Sequence, residues 1–156
     1  MHPKGFTLVE LILIIGISAM LVTGIMVSYS KFYLSNQLQD ANTQIKQALK
    51  QAREYSVSGY FNSSYGVHFS SNNTSNNYII YKGSSFAERD QPFDRISEIN
   101  KNISFASTTL SAAKGVYEIN FSKNYGAPDN YGDIEILNNN SGESNTIDIN
   151  SLGTIN

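Results

Sequence analysis

The sequence predicts an α+β protein in which a long N-terminal α-helix packs on a C-terminal antiparallel β-sheet or small β-sandwich. Three observations support this fold class: an apolar run near the N-terminus, a helical stripe that continues from it, and short alternating segments in the second half. We expect an apolar stalk at residues 6–28, an amphipathic continuation of the same helix at 29–59, and a β-rich head at 60–156.

The apolar run from Phe6 to Val27 is broken by one acid, Glu10. A helix of this length would measure about 33 Å, enough to cross the hydrocarbon core of a bilayer. We therefore expect a membrane-spanning helix. A carboxylate inside such a helix costs about 2.5–3.5 kcal/mol, so Glu10 needs either the nearby interface or a partner.

After the apolar run, apolar residues recur at spacings of three and four, which is typical of one stripe on an amphipathic helix. The stripe consists of Leu34, Leu38, Ala41, Ile45, Ala48, Leu49, Ala52 and Tyr55. No Pro or Gly lies between Ile25 and Ser58, and Gly59 can adopt the left-handed conformation that ends helices. The helix is therefore predicted to run from Phe6 to Ser58. Within it, Gly16 and Gly24 either allow close approach of neighbouring helices or are simply tolerated.

From Tyr60 onward, short β-branched and aromatic segments alternate with Asn, Ser and Gly, which is typical of strands and turns. We predict strands at residues 66–69, 78–81, 103–105, 116–121, 134–137 and 147–149. Pro92 lies in a longer excursion from Gly83 to Lys101, where one helical turn is expected around Arg95 to Ile99. About 97 residues then form one head domain, whose core is completed by the helix stripe.

The string Gly5-Phe6-Thr7-Leu8-Val9-Glu10-Leu11 resembles the cleavage and methylation signature of type IV prepilins and type II secretion pseudopilins. This resemblance implies a type IV pilin-like fold and a leader, residues 1–5, that prepilin peptidase removes after Gly5. It also implies N-methylation of the new amino terminus at Phe6. Glu10 would pair with the terminal amine of a neighbouring subunit during filament assembly, so that each charge offsets part of the other's desolvation.

The same resemblance implies a structural subunit of a type IV pilus (a fimbrium) or of a type II protein-secretion filament. The order of elements is most similar to H-type minor pseudopilins and their type IV pilus counterparts. The expected partners are prepilin peptidase, other pilin or pseudopilin subunits, an inner-membrane assembly platform and the lipid bilayer. The expected location is the inner (cytoplasmic) membrane, crossed once with the head outside the cytoplasm, and then the filament. Pilus or secretion system, and major or minor subunit, stay open.

An alternative is a membrane-tethered extracytoplasmic binding module or adhesin that enters no filament. An ordinary secretory signal peptide fits less well, because it would have a longer basic front and a cleavage site after a shorter apolar region. Here His2 and Lys4 are the only basic residues before the glycine, and a polar helix follows the apolar run. We therefore expect the helix to stay attached.

Composition argues against several other classes. The net charge is −2, and no Lys or Arg follows Lys123, so nucleic-acid binding is not expected. The chain has no Cys, which rules out a disulfide in the head. His68 is the only histidine outside the leader, and no Ser or Asp lies at a spacing that indicates a catalytic triad. We expect neither enzymatic activity nor a cofactor.

Calcium is the one metal with candidate ligands in the head. Asp129, Asn130, Asp133 and Asp148 carry the hard oxygen donors that calcium prefers. Their spacing matches no metal-binding loop, and Asp and Asn beside Gly are common turn residues. We therefore assign no metal site from the sequence, and calcium binding stays open.

Overall fold

In this computed structural model, the described residues are 5–71, 76–110 and 117–156, with the side chains of 23–29, 71, 107 and 108 excepted. Residues 1–4 of the predicted leader lie outside these ranges. So do Val116 of the fourth predicted strand and residues 72–75, which lie between the first two predicted strands.

The backbone of the first helix, α1, runs from Leu8 to Val57. Thr7 is its N-cap, and Ser58 is its C-cap. Gly59 then adopts the left-handed conformation, with φ of +63°. The predicted stop at Gly59 is therefore confirmed, because a residue with a Cβ would be strained at this φ.

Within the described ranges, seven strands follow α1 and form two antiparallel sheets. The strands are β1 Tyr65–Ser71, β2 Asn76–Lys82, β3 Arg95–Ile99, β4 Ile103–Thr108, β5 Glu118–Phe121, β6 Gly132–Asn138 and β7 Ser144–Ile149. The first sheet has the order β3-β2-β1-β5, and the second has the order β4-β6-β7. A 3-10 turn, Tyr60–Asn62, joins α1 to β1, and another, Gln91–Phe93, precedes β3.

The core lies between the second part of α1 and the two sheets. Most of the predicted stripe enters it: Leu38, Ala41, Ile45, Ala48, Leu49 and Ala52 are each less than 5% exposed. Both sheets supply the opposite wall with aromatic and β-branched side chains from alternate strand positions. The strand residues in this wall include Val67, Phe69, Ile80, Ile119, Phe121, Ile134, Ile136, Ile147 and Ile149.

Two buried polar side chains attach α1 to the sheets. The Ser56 hydroxyl accepts a hydrogen bond from the Tyr65 backbone N–H at 2.8 Å and donates to the Tyr65 carbonyl at 3.3 Å. At the other end of the interface, Asn138 Nδ2 donates to the Leu34 carbonyl at 3.0 Å. These contacts mark the packed length of α1, which lies between Leu34 and Ser56.

The predicted fold class is wrong. It described a long N-terminal helix, made of the apolar stalk and its amphipathic continuation, that packs on the β-rich head. Side chains of α1 are described for residues 8–22 and 30–57, and only the second stretch contributes to the core. Every residue in 8–22 is exposed. The physical reason is composition: residues 8–22 are apolar on all sides, so no single face is adapted to the head. The head itself comprises two separate sheets.

Across the described ranges, no helix combines the length and the apolar content needed to cross a membrane. This finding contradicts the predicted membrane-spanning segment at residues 6–28, and with it the predicted single-pass location in the inner membrane. The apolar part of α1 whose side chains are described, residues 8–22, extends about 22 Å, whereas the hydrocarbon core of a bilayer is about 30 Å thick.

The helical turn predicted around Arg95 to Ile99 is also wrong, because these residues form β3. β3 pairs with β2 in antiparallel register, with Ile79 opposite Ile96 and Asn76 opposite Ile99. The two isoleucines of β3 are three residues apart, a spacing that fits a helix as well as a strand. The neighbouring strand decides between them, as is common for short segments.

Candidate functional site

The predicted cleavage residues lie just before α1 and are open to solvent. Gly5 and Phe6 precede the N-cap, and the Phe6 side chain is 81% exposed. A Cβ added at Gly5 would meet no atom of the described residues within 4 Å. The folded chain therefore has no steric need for glycine at this position, and a requirement for it would have to come from a partner.

Glu10 lies in the first turn of α1, where it forms a capping box with Thr7. Its Oε2 accepts hydrogen bonds from the Thr7 backbone N–H at 3.1 Å and from the Thr7 hydroxyl at 3.0 Å. In return, the Glu10 N–H donates to Thr7 Oγ1 at 3.2 Å. Both the capping bonds and the positive end of the helix dipole stabilise the ionised carboxylate.

The second carboxylate oxygen of Glu10, Oε1, has no hydrogen bond among the residues described. An ionised carboxylate has about four acceptor positions, and the capping box uses only the Oε2 side. The carboxylate can therefore accept a further donor without leaving its cap. The site thus combines a fixed anion with free acceptor capacity, beside the exposed Phe6.

An apolar surface surrounds this anion on every side of the helix. We call residues 6–22 the apolar segment; Glu10 is its only charged residue. Twelve of its large apolar side chains are between 50% and 81% exposed: Phe6, Leu8, Val9, Leu11, Ile12, Leu13, Ile14, Ile15, Ile17, Met20, Leu21 and Val22. Exposure on this scale marks a contact surface, since soluble monomers rarely present contiguous apolar patches above a few hundred Å².

Gly16 and Gly24, which either allow close helix approach or are simply tolerated, lie in this half of α1. A Cβ at Gly16 would meet nothing within 4 Å among the side chains that are described, so the position is open to a neighbour. The surroundings of Gly24 lie outside the described side chains. Gly16 is therefore compatible with close packing of a second helix.

The acidic residues considered for calcium take hydrogen bonds from the protein itself. Asp129 Oδ1 accepts from the Asn120 N–H at 2.7 Å, and burial raises the pKa of Asp129. Asp148 Oδ2 accepts from Asn156 Nδ2 at 3.1 Å. Asp133 lies opposite Asp148 across β6 and β7. Within the described ranges, no group of three His, Cys, Asp or Glu side chains is arranged to hold a metal ion.

His68 lies on the face of the first sheet opposite α1, under the loop that joins β2 to β3. Its ring stacks on Phe86 at 3.7 Å between centroids, and its Nδ1 lies 3.9 Å from Glu118 Oε2. Burial, and then the charge of Arg89, lower the pKa of His68. Burial likewise raises the pKa of Glu118, which accepts the Phe86 N–H at 3.1 Å. Through the Phe86 ring and the Phe86 N–H, this pair holds the loop between β2 and β3 against the sheet.

A groove between α1 and β3, which the sequence did not reveal, is a further candidate site. A cavity of about 300 Å³ lies there, lined by Gln44, Gln47 and Gln51 of α1 and by Arg95 and Ser97 of β3. The three glutamines lie on one polar face of the helix, and their spacing is the one feature of the sequence that hints at this groove. That signal could not identify a groove, because the strand beside it was not predicted.

No family model, curated protein or solved structure matches this chain.

Proposed function

We propose that this protein is a structural subunit, a pilin or pseudopilin, of a type IV pilus or a type II secretion-like filament. A prepilin peptidase would cut the chain after Gly5 and methylate Phe6. Copies would then assemble through their apolar segments, together with other pilin or pseudopilin subunits and an assembly platform. The proposal assigns the chain no catalytic role.

The observation that carries the proposal is the exposed apolar segment with one fixed acid at its start. Burying a large apolar side chain is worth about 1.5–3 kcal/mol, and twelve such side chains are exposed in residues 6–22. Association of these segments between copies would therefore have a large driving force. Since the segment is apolar on all sides, it suits the centre of a bundle, where neighbours surround each helix.

Glu10 gives this bundle a register. In a bundle of apolar helices, an unpaired carboxylate would be strongly destabilising, so the acid favours arrangements that bring a cation to it. Removal of residues 1–5 would create such a cation, the amine of Phe6, on every copy. The free acceptor capacity at Oε1 of Glu10 supports this pairing, because the amine of a neighbour can bind there while Thr7 keeps its cap on Oε2.

The test separates the charge of Glu10 from its capping role. Glu10→Gln keeps an acceptor for Thr7, since Gln also forms capping boxes, but removes the charge. Glu10→Ala removes both. We expect both variants to be cleaved normally and to be lost from sheared filaments, as measured by the ratio of filament-bound to cellular protein. Glu54→Gln, an exposed acid later in α1, is the matched control and should assemble normally.

Two results would count against the proposed role. Normal incorporation of Glu10→Ala would eliminate any function of Glu10 in assembly. Normal incorporation of Glu10→Gln together with loss of Glu10→Ala would show that only the cap matters, and that no amine pairs with the carboxylate.

A further inference from the structure

Strand β3 forms an open edge of the first sheet. It pairs with β2 on one side, and among the strands that the structure describes none pairs with its other side. The edge is accessible: Arg95 and Glu98 are exposed, and Ile96 is 63% exposed. An edge strand of this kind presents a row of N–H and C=O groups that can pair with another extended chain.

The side of β3 that faces α1 leaves space unfilled. Arg95 and Ser97 lie opposite Ile80 and Tyr78, which are buried against the helix, so all four share one face of the sheet. The cavity of about 300 Å³ runs between β3 and the glutamines of α1.

A second cavity extends this space along the helix. It measures about 170 Å³, is lined by Gln37, Asp40, Ile99 and Asn100, and shares Gln44 with the first cavity. We call the two together the α1–β3 groove. Gln37 to Gln51 spans about 21 Å of helix, which is the length of about six residues of extended chain.

The ends of the α1–β3 groove differ in charge. At one end, Arg95 Nη1 donates to the Tyr55 hydroxyl at 2.8 Å, and Gln51 Nε2 donates to the same oxygen at 3.0 Å. None of the ion pairs among the described residues involves Arg95. The guanidinium is therefore held in place by Tyr55 without a carboxylate partner from the described part of the chain. At the other end lies the carboxylate of Asp40.

A buried amide oxygen without a partner also lines the groove. Gln37 Oε1 is buried and, within the part of the chain that the structure describes, has no hydrogen-bond partner. A buried acceptor in this condition costs about 1–3 kcal/mol, which a donor from a bound ligand would recover.

We propose that the α1–β3 groove binds an extended polypeptide segment that adds as a strand to β3 and places an acidic side chain on Arg95. The open edge favours a polypeptide backbone over other ligands, because the N–H and C=O groups of β3 are spaced to pair with those of another extended strand. Alternate side chains of the segment enter the groove, and Asp40 favours a basic residue at the far end. This site lies between the packed part of α1 and the head, and its occupation does not depend on the filament function proposed above.

The test uses the full-length protein in mild detergent and a fluorescein-labelled peptide, Thr-Lys-Val-Thr-Val-Glu-Thr. Its Lys, central Thr and Glu alternate with Val and so point to one face. Antiparallel to β3, it places Glu at Arg95 and Lys near Asp40. We expect saturable binding in fluorescence anisotropy, with a Kd below about 1 mM. A peptide with Gln in place of Glu should bind about tenfold more weakly.

Variants of the protein locate the site. Arg95→Gln should weaken binding about tenfold, and Gln47→Trp, which fills the groove from an exposed helix position, should abolish it. Lys50→Gln, a matched cation on α1 outside the groove, should bind like wild type. Circular dichroism checks that each variant is folded. Bound peptide should also slow amide hydrogen exchange in residues 95–99.

Three outcomes would overturn the proposal. The first is no change in peptide anisotropy up to about 1 mM protein. The second is equal affinity of wild type and Gln47→Trp for the peptide. The third is binding without protection of the β3 amides, which would show a side-chain contact instead of strand addition. None of these depends on cleavage after Gly5 or on filament formation.

Discussion

Replacing Ser56 by alanine tests how firmly α1 is attached to the head. Ser56 is fully buried, and its hydroxyl accepts the Tyr65 N–H at 2.8 Å and donates to the Tyr65 carbonyl at 3.3 Å. The substitution removes both hydrogen bonds and leaves the buried Tyr65 N–H without the Ser56 hydroxyl as its acceptor. Leaving a buried donor without its partner costs about 1–3 kcal/mol, so we expect the free energy of unfolding to fall by that amount.

Urea unfolding followed by circular dichroism at 25 °C measures this change. The midpoint should fall while the m-value stays constant, because the surface exposed on unfolding is unaltered. For a chain of this size, about 1–3 kcal/mol corresponds to a loss of about 2–12 °C in melting temperature. Ser58→Ala, two residues further along and exposed, should change stability by less than about 0.5 kcal/mol. A Ser56→Ala variant as stable as this control would refute the role of the Ser56 hydroxyl in joining α1 to β1.

Three further substitutions, one of them with a matched control, test other parts of the structure. Gly66→Ala places a Cβ against the Tyr81 side chain and should lower the free energy of unfolding by about 1–3 kcal/mol in urea. Gly16→Ala, whose Cβ meets no described atom within 4 Å, is the control and should cause no loss. Equal stability of the two variants would contradict the packing of Gly66 against Tyr81. Because the pKa of His68 is lowered on folding, the unfolded state binds more protons, and wild type should lose stability as the pH falls from about 6.5 through the lowered pKa. His68→Gln should flatten that part of the stability profile, and an unchanged slope would argue against burial of the imidazole. Gly5→Val should retain the precursor mass in intact-protein mass spectrometry, and a mature-sized product would eliminate Gly5 as the cleavage residue.

The packed part of α1 could be predicted because its apolar residues carry a periodic signal. Leu38, Ala41, Ile45 and Ala52 recur at helical spacing, and each is buried as predicted. A helix face is a local property, so the sequence alone can reveal it. The end of the helix was also predictable, since Gly59 supplies the left-handed conformation required there.

The sheets were less predictable because strand pairing is not local. The strands that carry runs of Ile, Val and aromatic residues were expected, but β3 was not, since Ile96 and Ile99 fit a helical turn equally well. Its identity depends on β2, more than ten residues away in the chain. The division into two sheets has the same origin: β4 pairs with β6 and bypasses β5.

The candidate sites divide in the same way. Gly5, Phe6 and Glu10 are close in sequence, so a local motif is enough to single them out. The capping box between Thr7 and Glu10 also follows from their spacing of three residues. The α1–β3 groove depends on the distance between a helix and an edge strand, which no local pattern encodes.

The most direct test of the proposed function is N-terminal mass analysis of the native protein taken from sheared filaments. The account predicts that the filament fraction contains the chain and that it begins at an N-methylated Phe6 in place of Met1. A native chain that retains residues 1–5 and is recovered only as single copies would contradict it.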